Sequence, residues 1–290
     1  MKALLGLVPS AKYSESGITY RALRCRRQTS ARERICAFLA TLRRAGKFQV
    51  VGRTARTQPL GMGTFTHIAI DGPVGSGKTT VARELAARLG ILYLDTGAMY
   101  RAVALCALTA GVDPADEKAV LACVRLQPVH VTLDAAAPLG FRIYAGEHEF
   151  GEELYGNDVS PVASIVAAHP GVRSELVQRQ RAIAAEGPVV MAGRDIGTVV
   201  LPDAPLKIFL TATVDARVER RLAELLAQGV RVDAPTLREQ IIERDGLDAS
   251  RPVSPLCAAD DAIEIDSSDL SVGEVVERIA SLAPSPSQRR

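Results

Sequence analysis

The apolar positions of this chain gather into short unbroken runs more often than they alternate. His67–Ile70, Ile91–Leu94 and Pro188–Ala192 are such runs, Leu206–Leu210 is one with Lys207 inside it, and Ala262–Ile265, divided by Glu264, reads as a last short strand; each ends near Gly, Asp or Thr. Unbroken runs of this length predict strands buried on both faces, as in a parallel sheet. Between them lie segments with helical spacing: Val81–Gly90, Thr96 to Gly111, Val159–Ala185 with a break at His169-Pro170-Gly171, Thr213–Gly229, Pro235–Asp245 and Val272–Leu282. Asp95 or Thr96 is suited to cap the second of these. Strands alternating with helices predict an α/β fold whose parallel sheet is flanked by helices. One stretch breaks the pattern. From Pro128 to Tyr144, the residues Val129, Val131 and Leu133, then Phe141 and Ile143, repeat every second position, which predicts an inserted antiparallel hairpin. Residues 196–204 read as a connection of strand and turn, 243–256 as a mobile surface loop, and 284–290 as a disordered tail.

Composition narrows the classes. Hydrophobic residues make up 47% of the 290, enough for a sizeable core, while tryptophan is absent and aromatics are 4%. That disfavours stacking-based binding of nucleic acid. No apolar run approaches the roughly 18–20 residues of a membrane-spanning helix. The five cysteines, Cys25, Cys36, Cys106, Cys123 and Cys257, never stand in CxxC spacing and fit a reducing compartment. The net charge of +2 conceals two opposite parts: residues 1–62 hold 13 Lys/Arg against 2 Asp/Glu, and the rest hold 22 against 31. An acidic body thus follows a basic extension. The extension, with a modest helical candidate at Arg32–Arg44, fits a transit-like segment, a basic arm, or a dispensable stretch upstream of a natural start at Met62. The last is favoured, because compact domains of the kind described next commonly begin with their first strand.

The chemistry is announced by HIAIDGPVGSGKTT, residues 67–80. A strand, a glycine loop and a helix in that order are the context of a phosphate-binding loop. Gly72, Pro73, Val74, Gly75, Ser76, Gly77, Lys78, Thr79 and Thr80 would wrap the phosphates of ATP with backbone N–H groups and a helix N-terminus. Lys78 would reach the β- and γ-phosphates, and the Thr79 hydroxyl would ligate Mg²⁺. Arginines are dense downstream, as they must be where two phosphorylated substrates are brought together. Arg179, Arg181 and Arg217 fit a solvated helix face equally well. Asp71 fits a water-mediated metal contact or a turn cap, and the four histidines read as structural or exposed.

Several ordered stretches, DGPVGSGKTT, LDTGAMYRAVA, SIVAAHPGVRSELVQRQR, GRDIGTVVLPDAPLKIFLTAT, ARVERRLAEL and ERDGLDASRPVSPL, resemble the bacterial-type cytidylate kinases of the nucleoside monophosphate kinase group. The resemblance runs from about Thr66 to Leu282. It implies a P-loop kinase core at 63–283, a monophosphate-binding region with an inserted small sheet at about 95–175, and a helical lid at about 217–252. It further implies transfer of a phosphoryl group from ATP to CMP or dCMP with Mg²⁺, in a cytoplasmic and monomeric enzyme without membrane or nucleic-acid partners.

Position by position, the resemblance implies that Thr96 touches the acceptor nucleotide and that Arg101 grips its phosphate. Ser164, Arg173 and Asp195 would read the cytosine edge. Arg194 and Arg251 would contact phosphate and, with Lys78, form the catalytic set. Arg244 and Asp248 would close on the sugar and phosphate, and Arg220 and Arg221 would face the donor phosphates. The chain departs from the family at Leu154-Tyr155-Gly156, where Ile-Arg-Thr is usual, at Val74, and at Gly246-Leu247, where the lid is usually more charged. Two rivals remain: a kinase for another acceptor such as UMP or AMP, and a P-loop switch whose basic arm binds nucleic acid.

Overall fold

The computed structural model describes residues 67–283 except 157 and 228. The basic extension with its helical candidate and the expected disordered tail lie outside the described residues. Strand β1 (Ile68–Asp71) is buried along its whole length and feeds the glycine loop and helix α1 (Lys78–Leu89). Strand β2 (Leu92–Asp95) then leads into α2 (Thr96–Thr109), and α3 (Glu117–Leu126) follows. The small sheet is β3 (Val129–Leu133), β4 (Phe141–Ala145) and β5 (His148–Phe150). A short 3₁₀ turn (Glu152–Tyr155), α4 (Val159–Val166) and α5 (Pro170–Ala184) return the chain to the main sheet. There β6 (Val189–Gly193) and β7 (Leu206–Thr211) flank β1. Helices α6 (Val214–Ala227) and α7 (Ala234–Ala249) form a hairpin, and β8 (Ile263–Asp266) and α8 (Val272–Leu282) complete the fold.

The five-stranded sheet has the order β2-β6-β1-β7-β8, and all its pairings are parallel. The α/β architecture is therefore the one that the apolar runs predict. Placing β1 at the centre brings the carboxyl ends of β1, β2 and β6 side by side, the edge where open α/β sheets bind ligands. Asp95 caps α2 by accepting from the Gly97 N–H at 2.9 Å, and Pro170 opens the first turn of α5, where a missing N–H costs nothing. A Ser271–Glu274 capping box starts α8.

Four sequence readings need correction or completion. The inserted hairpin has a third strand, β5, whose three residues are too few to show a period. Helix α3 falls where the sequence reading placed nothing. Residues 196–200 form one π-helical turn, not strand and turn, because the Asp71 carboxylate accepts from the Ile196 and Gly197 N–H groups at 2.8 and 2.7 Å. Finally, the expected surface loop at 243–256 is helical in its first half and irregular only from residue 250. Helix α7 continues through Ala249, and Asp248 and Arg251 are buried because they pair with one another and Asp248 pairs also with Arg194.

Apolar burial divides unequally. One large cluster joins the main sheet, its helices and the small sheet. The α6–α7 hairpin has its own small cluster of Val218, Leu225, Leu237 and Ile241, against which Val74 of the glycine loop packs.

Candidate active site

The glycine loop is shaped by positions that cannot carry a side chain. Gly72 has φ +149°, and a Cβ there would lie 2.0 Å from the Leu210 carbonyl oxygen of the neighbouring strand. Gly77 takes a left-handed conformation (φ +87°) as it enters α1. Lys78, first residue of that helix, is buried and folds back, its Nζ donating to the Pro73 carbonyl at 2.5 Å and the Ser76 hydroxyl at 3.2 Å. Burial, followed by the nearby Arg194 charge, pushes its pKa well below that of an ordinary lysine.

The hairpin reaches the same loop. The Val74 N–H donates to Asp245 Oδ1 at 3.1 Å, and Arg217, ion-paired to Asp245, donates to the Val74 carbonyl at 3.1 Å. Arg220 is held by the Ser267 carbonyl and hydroxyl. That hydroxyl sits 2.9 Å from the Thr211 carbonyl and 3.2 Å from that of Ser76, so it pins the glycine loop to the end of the sheet. Arg221 pairs with Glu224 at 2.8 Å. Arg179 is half-buried and Arg181 exposed, and they donate to the carbonyls of Val129, Val199 and Val200.

Beside the loop lies an open cleft, and all nine residues that the resemblance assigns to the acceptor line it. Thr96 and Arg101 come from α2, Ser164 from α4, Arg173 from α5, Arg194 and Asp195 from the end of β6, and Arg244, Asp248 and Arg251 from the hairpin side. At the floor, Arg173 and Asp195 form a buried ion pair, and Arg173 also donates to the Ala167 carbonyl at 3.1 Å. The Tyr100 ring lies 5.3 Å from the Arg173 guanidinium carbon, and burial raises the Tyr100 hydroxyl pKa to about 12. The Thr96 hydroxyl donates to the Ala192 carbonyl at 2.9 Å, while that of Ser164 stands 3.5 Å from the Ser160 carbonyl.

Across the cleft, Asp248 accepts from Arg194 at 2.7 Å and from Arg251. Burial opposes its charge, but Arg194 and Arg251 outweigh that cost and hold its pKa below the usual carboxylate value. Arg244 is the opposite case. Burial first, then the charges of Arg194 and Arg101, lower its pKa to about 10. The Nε atoms of Arg244 and Arg101 are buried without a hydrogen-bond partner among the described residues. Positive charge in excess of its carboxylate partners, with donors unspent, is what a bound phosphate dianion requires.

Sequence reasoning missed several contributors. Asp71 had no settled role, yet it ties the strand that feeds the glycine loop to the turn after Asp195; burial, only partly offset by these N–H groups, raises its pKa to about 6. Its place at the end of β1 was the available signal. Tyr155 stood out as a departure from the family but with no role attached, while Tyr100, Asp245 and Ser267 gave no signal, because their positions depend on packing between distant elements.

The Cytidylate kinase family profile matches residues 68–285. A cytidylate kinase of Pelotomaculum thermopropionicum is 49% identical over 218 residues, covering 75% of this chain and 96% of its own length. One from Geobacillus kaustophilus is 49% identical over 212 residues, covering 73% and 93%, and one from Anoxybacillus flavithermus 48% over 212 residues, with the same coverage. With the loop and the arginine-lined cleft side by side at the carboxyl edge of its sheet, the chain belongs to the cytidylate kinase family.

Proposed function

We propose that this protein transfers the γ-phosphoryl group of ATP to CMP, and also to dCMP, giving ADP and CDP or dCDP. The observation that carries this reading is the convergence of the nine acceptor-side residues on one cleft beside the glycine loop. A CMP phosphate oxygen attacks the γ-phosphorus in line; the new P–O bond forms as the bond to the β–γ bridging oxygen breaks, and ADP leaves. No general base is needed, since the attacking oxygen belongs to a phosphate already ionised at neutral pH.

The residues divide the work by place. Arg173 and Asp195, paired at the floor, offer donors and an acceptor to the cytosine edge, with Ser164 beside them. A pattern of buried polar partners discriminates strongly, because a base lacking the matching groups leaves them unpaired. Arg101, Arg194, Arg244 and Arg251 receive the acceptor phosphate, and Asp248 receives the sugar. Lys78, released from Pro73 and Ser76, follows the transferring group, while Arg220 and Arg221 serve the donor side. The region 95–175 holds the monophosphate and 217–252 acts as the lid, whose closure excludes water.

Among the described residues no cluster of three or more Asp, Glu, His or Cys side chains could hold a metal. Both Asp71 oxygens already accept from backbone N–H groups. Thr79, an exposed residue in the first turn of α1, therefore fits Mg²⁺ carried mainly by the triphosphate and water. Bound there, the metal supplies charge neutralisation of the β- and γ-oxygens. Among the described residues no helix is long and apolar enough to cross a membrane. We assign the protein to the cytoplasm, as a monomer, on the family reading.

The test is an ADP-release assay with ATP–Mg²⁺ and CMP, dCMP, UMP, AMP or GMP, run on the full chain and on a chain beginning at Met62. Turnover with CMP and dCMP alone, equal in both chains, is expected. A preference for UMP or AMP overturns the acceptor assignment, and no acceptor-dependent turnover overturns the kinase.

A further inference from the structure

The four arginines around the acceptor phosphate position are not held in the same way. Arg194 and Arg251 both spend donors on the Asp248 carboxylate. Arg244 is a half-buried cation pressed by its neighbours' charges. Arg101 is held by an aromatic face: its guanidinium carbon lies 5.2 Å from the centroid of the Tyr155 ring, within cation–π range. A carboxylate partner occupies the N–H groups of an arginine, whereas a π face attracts the charge and leaves those donors for a ligand.

The local build fits that task. Tyr155 ends the 3₁₀ turn Glu152–Tyr155, and the preceding Leu154 is fully buried, which fixes the turn against the core. On its other side the Arg101 guanidinium lies over Gly97. A Cβ at Gly97 would stand 3.5 Å from Arg101 Nη1, an ordinary contact distance, so the guanidinium packs directly on that stretch of backbone. The Nε of Arg101 is buried without a partner among the described residues, and both Arg101 and Gly97 line the cleft. The Tyr155 hydroxyl is 3.5 Å from Asp95 Oδ2, at the outer limit of a hydrogen bond, so the ring rather than the hydroxyl is the operative part.

We propose that Tyr155 is a positioning residue for the acceptor phosphate: its ring aims Arg101 into the cleft while leaving the guanidinium donors free for a phosphate monoester. The proposal rests on the reading of Arg101 as a phosphate ligand. In this chain an aromatic ring, not a carboxylate, supports Arg101, so the guanidinium is held without spending its donors.

The test compares Tyr155→Phe, Tyr155→Leu and Tyr155→Gln with Arg101→Ala and the double variant Tyr155→Leu/Arg101→Ala, measuring KM for CMP, KM for ATP and kcat. Tyr155→Phe keeps the ring and should stay within about twofold of the parent in all three. Tyr155→Leu and Tyr155→Gln should each raise KM for CMP about tenfold, with KM for ATP and kcat within about twofold; two replacements guard against one failing to fold. In the Arg101→Ala background Tyr155→Leu should add less than about twofold. If Arg101→Ala raises KM for CMP but Tyr155→Leu and Tyr155→Gln do not, or if Tyr155→Phe is as impaired as they are, the proposal falls. If Arg101→Ala leaves KM for CMP unchanged, the phosphate-site reading itself falls.

Discussion

The donor loop and the acceptor cleft lie side by side, yet their polar groups are in opposite conditions. In the donor loop nearly every group named above has a protein partner. Lys78 is folded onto Pro73 and Ser76, the Val74 N–H is taken by Asp245, and Arg220 is held by Ser267. In the cleft, positive charge outruns its partners: Arg244 is depressed to a pKa of about 10, and Nε of Arg101 and of Arg244 find no acceptor among the described residues. The difference teaches how each substrate is received. On the proposed function, CMP would enter a site whose charge already awaits a dianion, so its phosphate would relieve an existing repulsion. ATP must first exchange the loop's internal bonds for its own phosphates. Preorganisation is thus concentrated on the acceptor side, and rearrangement on the donor side.

The largest effect that would sharpen this contrast comes from Lys78→Met. Removing the charge that tracks the transferring group should lower kcat about 10³-fold. The same change should leave the melting temperature equal or higher, because burial makes the charged lysine costly to the empty protein. Steady-state kinetics beside a thermal melt checks both halves; a fall in melting temperature as large as that of a core truncation would show that Lys78 is structural.

Next comes the joint between the two sides, Asp71. Its folded pKa of about 6 stands above the ordinary carboxylate value of 3.8. The folded state therefore keeps a proton that the unfolded state releases between those values, and stability from this group falls as pH rises through that window. By linkage the fall is about 3 kcal/mol, and above pH 6 it levels off. Asp71→Asn cannot titrate, so the melting temperature of the parent minus that of the variant should shrink from about pH 4 to about pH 6.5. A constant difference would mean that the Ile196 and Gly197 N–H groups fully offset burial.

How much of this was legible follows the same division. The inner strands of the main sheet were visible because a buried parallel strand is a largely apolar run, whereas the edge strand β8 is mostly exposed and is divided by Glu264; β1 could be placed by its glycine loop alone. The nine residues proposed for the acceptor could be named only through resemblance, since they are scattered from Thr96 to Arg251 and no local period links them. The segment around Asp248 was misread because Gly246 and Pro252 signal a loop, while one of the two ion pairs that bury it depends on Arg194, far away in sequence. The roles of Tyr155, noted only as a departure from the family, and of Ser267 were invisible for the same reason: what they touch is decided by tertiary packing.

A smaller effect would test the excess charge in the cleft directly. Arg244→Met should raise KM for CMP about tenfold or more, one charge-assisted contact being lost, with a lesser change in KM for ATP. Because Arg244 is repelled by Arg194 and Arg101, its removal should not lower the melting temperature of the nucleotide-free protein, and the stabilisation gained on adding CMP should shrink. A marked loss of stability without ligand would break the comparison, since it would show the cleft's charges to be balanced.

The smallest expected effect lies at the far edge of the donor loop. The Ser267 hydroxyl, buried just beyond the end of β8, stands between the carbonyls of Thr211 and Ser76 and also receives Arg220. Ser267→Ala removes that pin but leaves the Ser267 backbone carbonyl, so Arg220 keeps part of its hold. One hydrogen bond of net worth about 1 kcal/mol is lost, equivalent to roughly a fivefold change in an equilibrium. KM for ATP should therefore rise up to about fivefold while KM for CMP stays within about twofold, because no cleft residue depends on this hydroxyl. An equal rise in both would mean that the loop and the cleft are ordered as one unit, and that the contrast between a satisfied donor side and an unsatisfied acceptor side does not govern how the substrates bind.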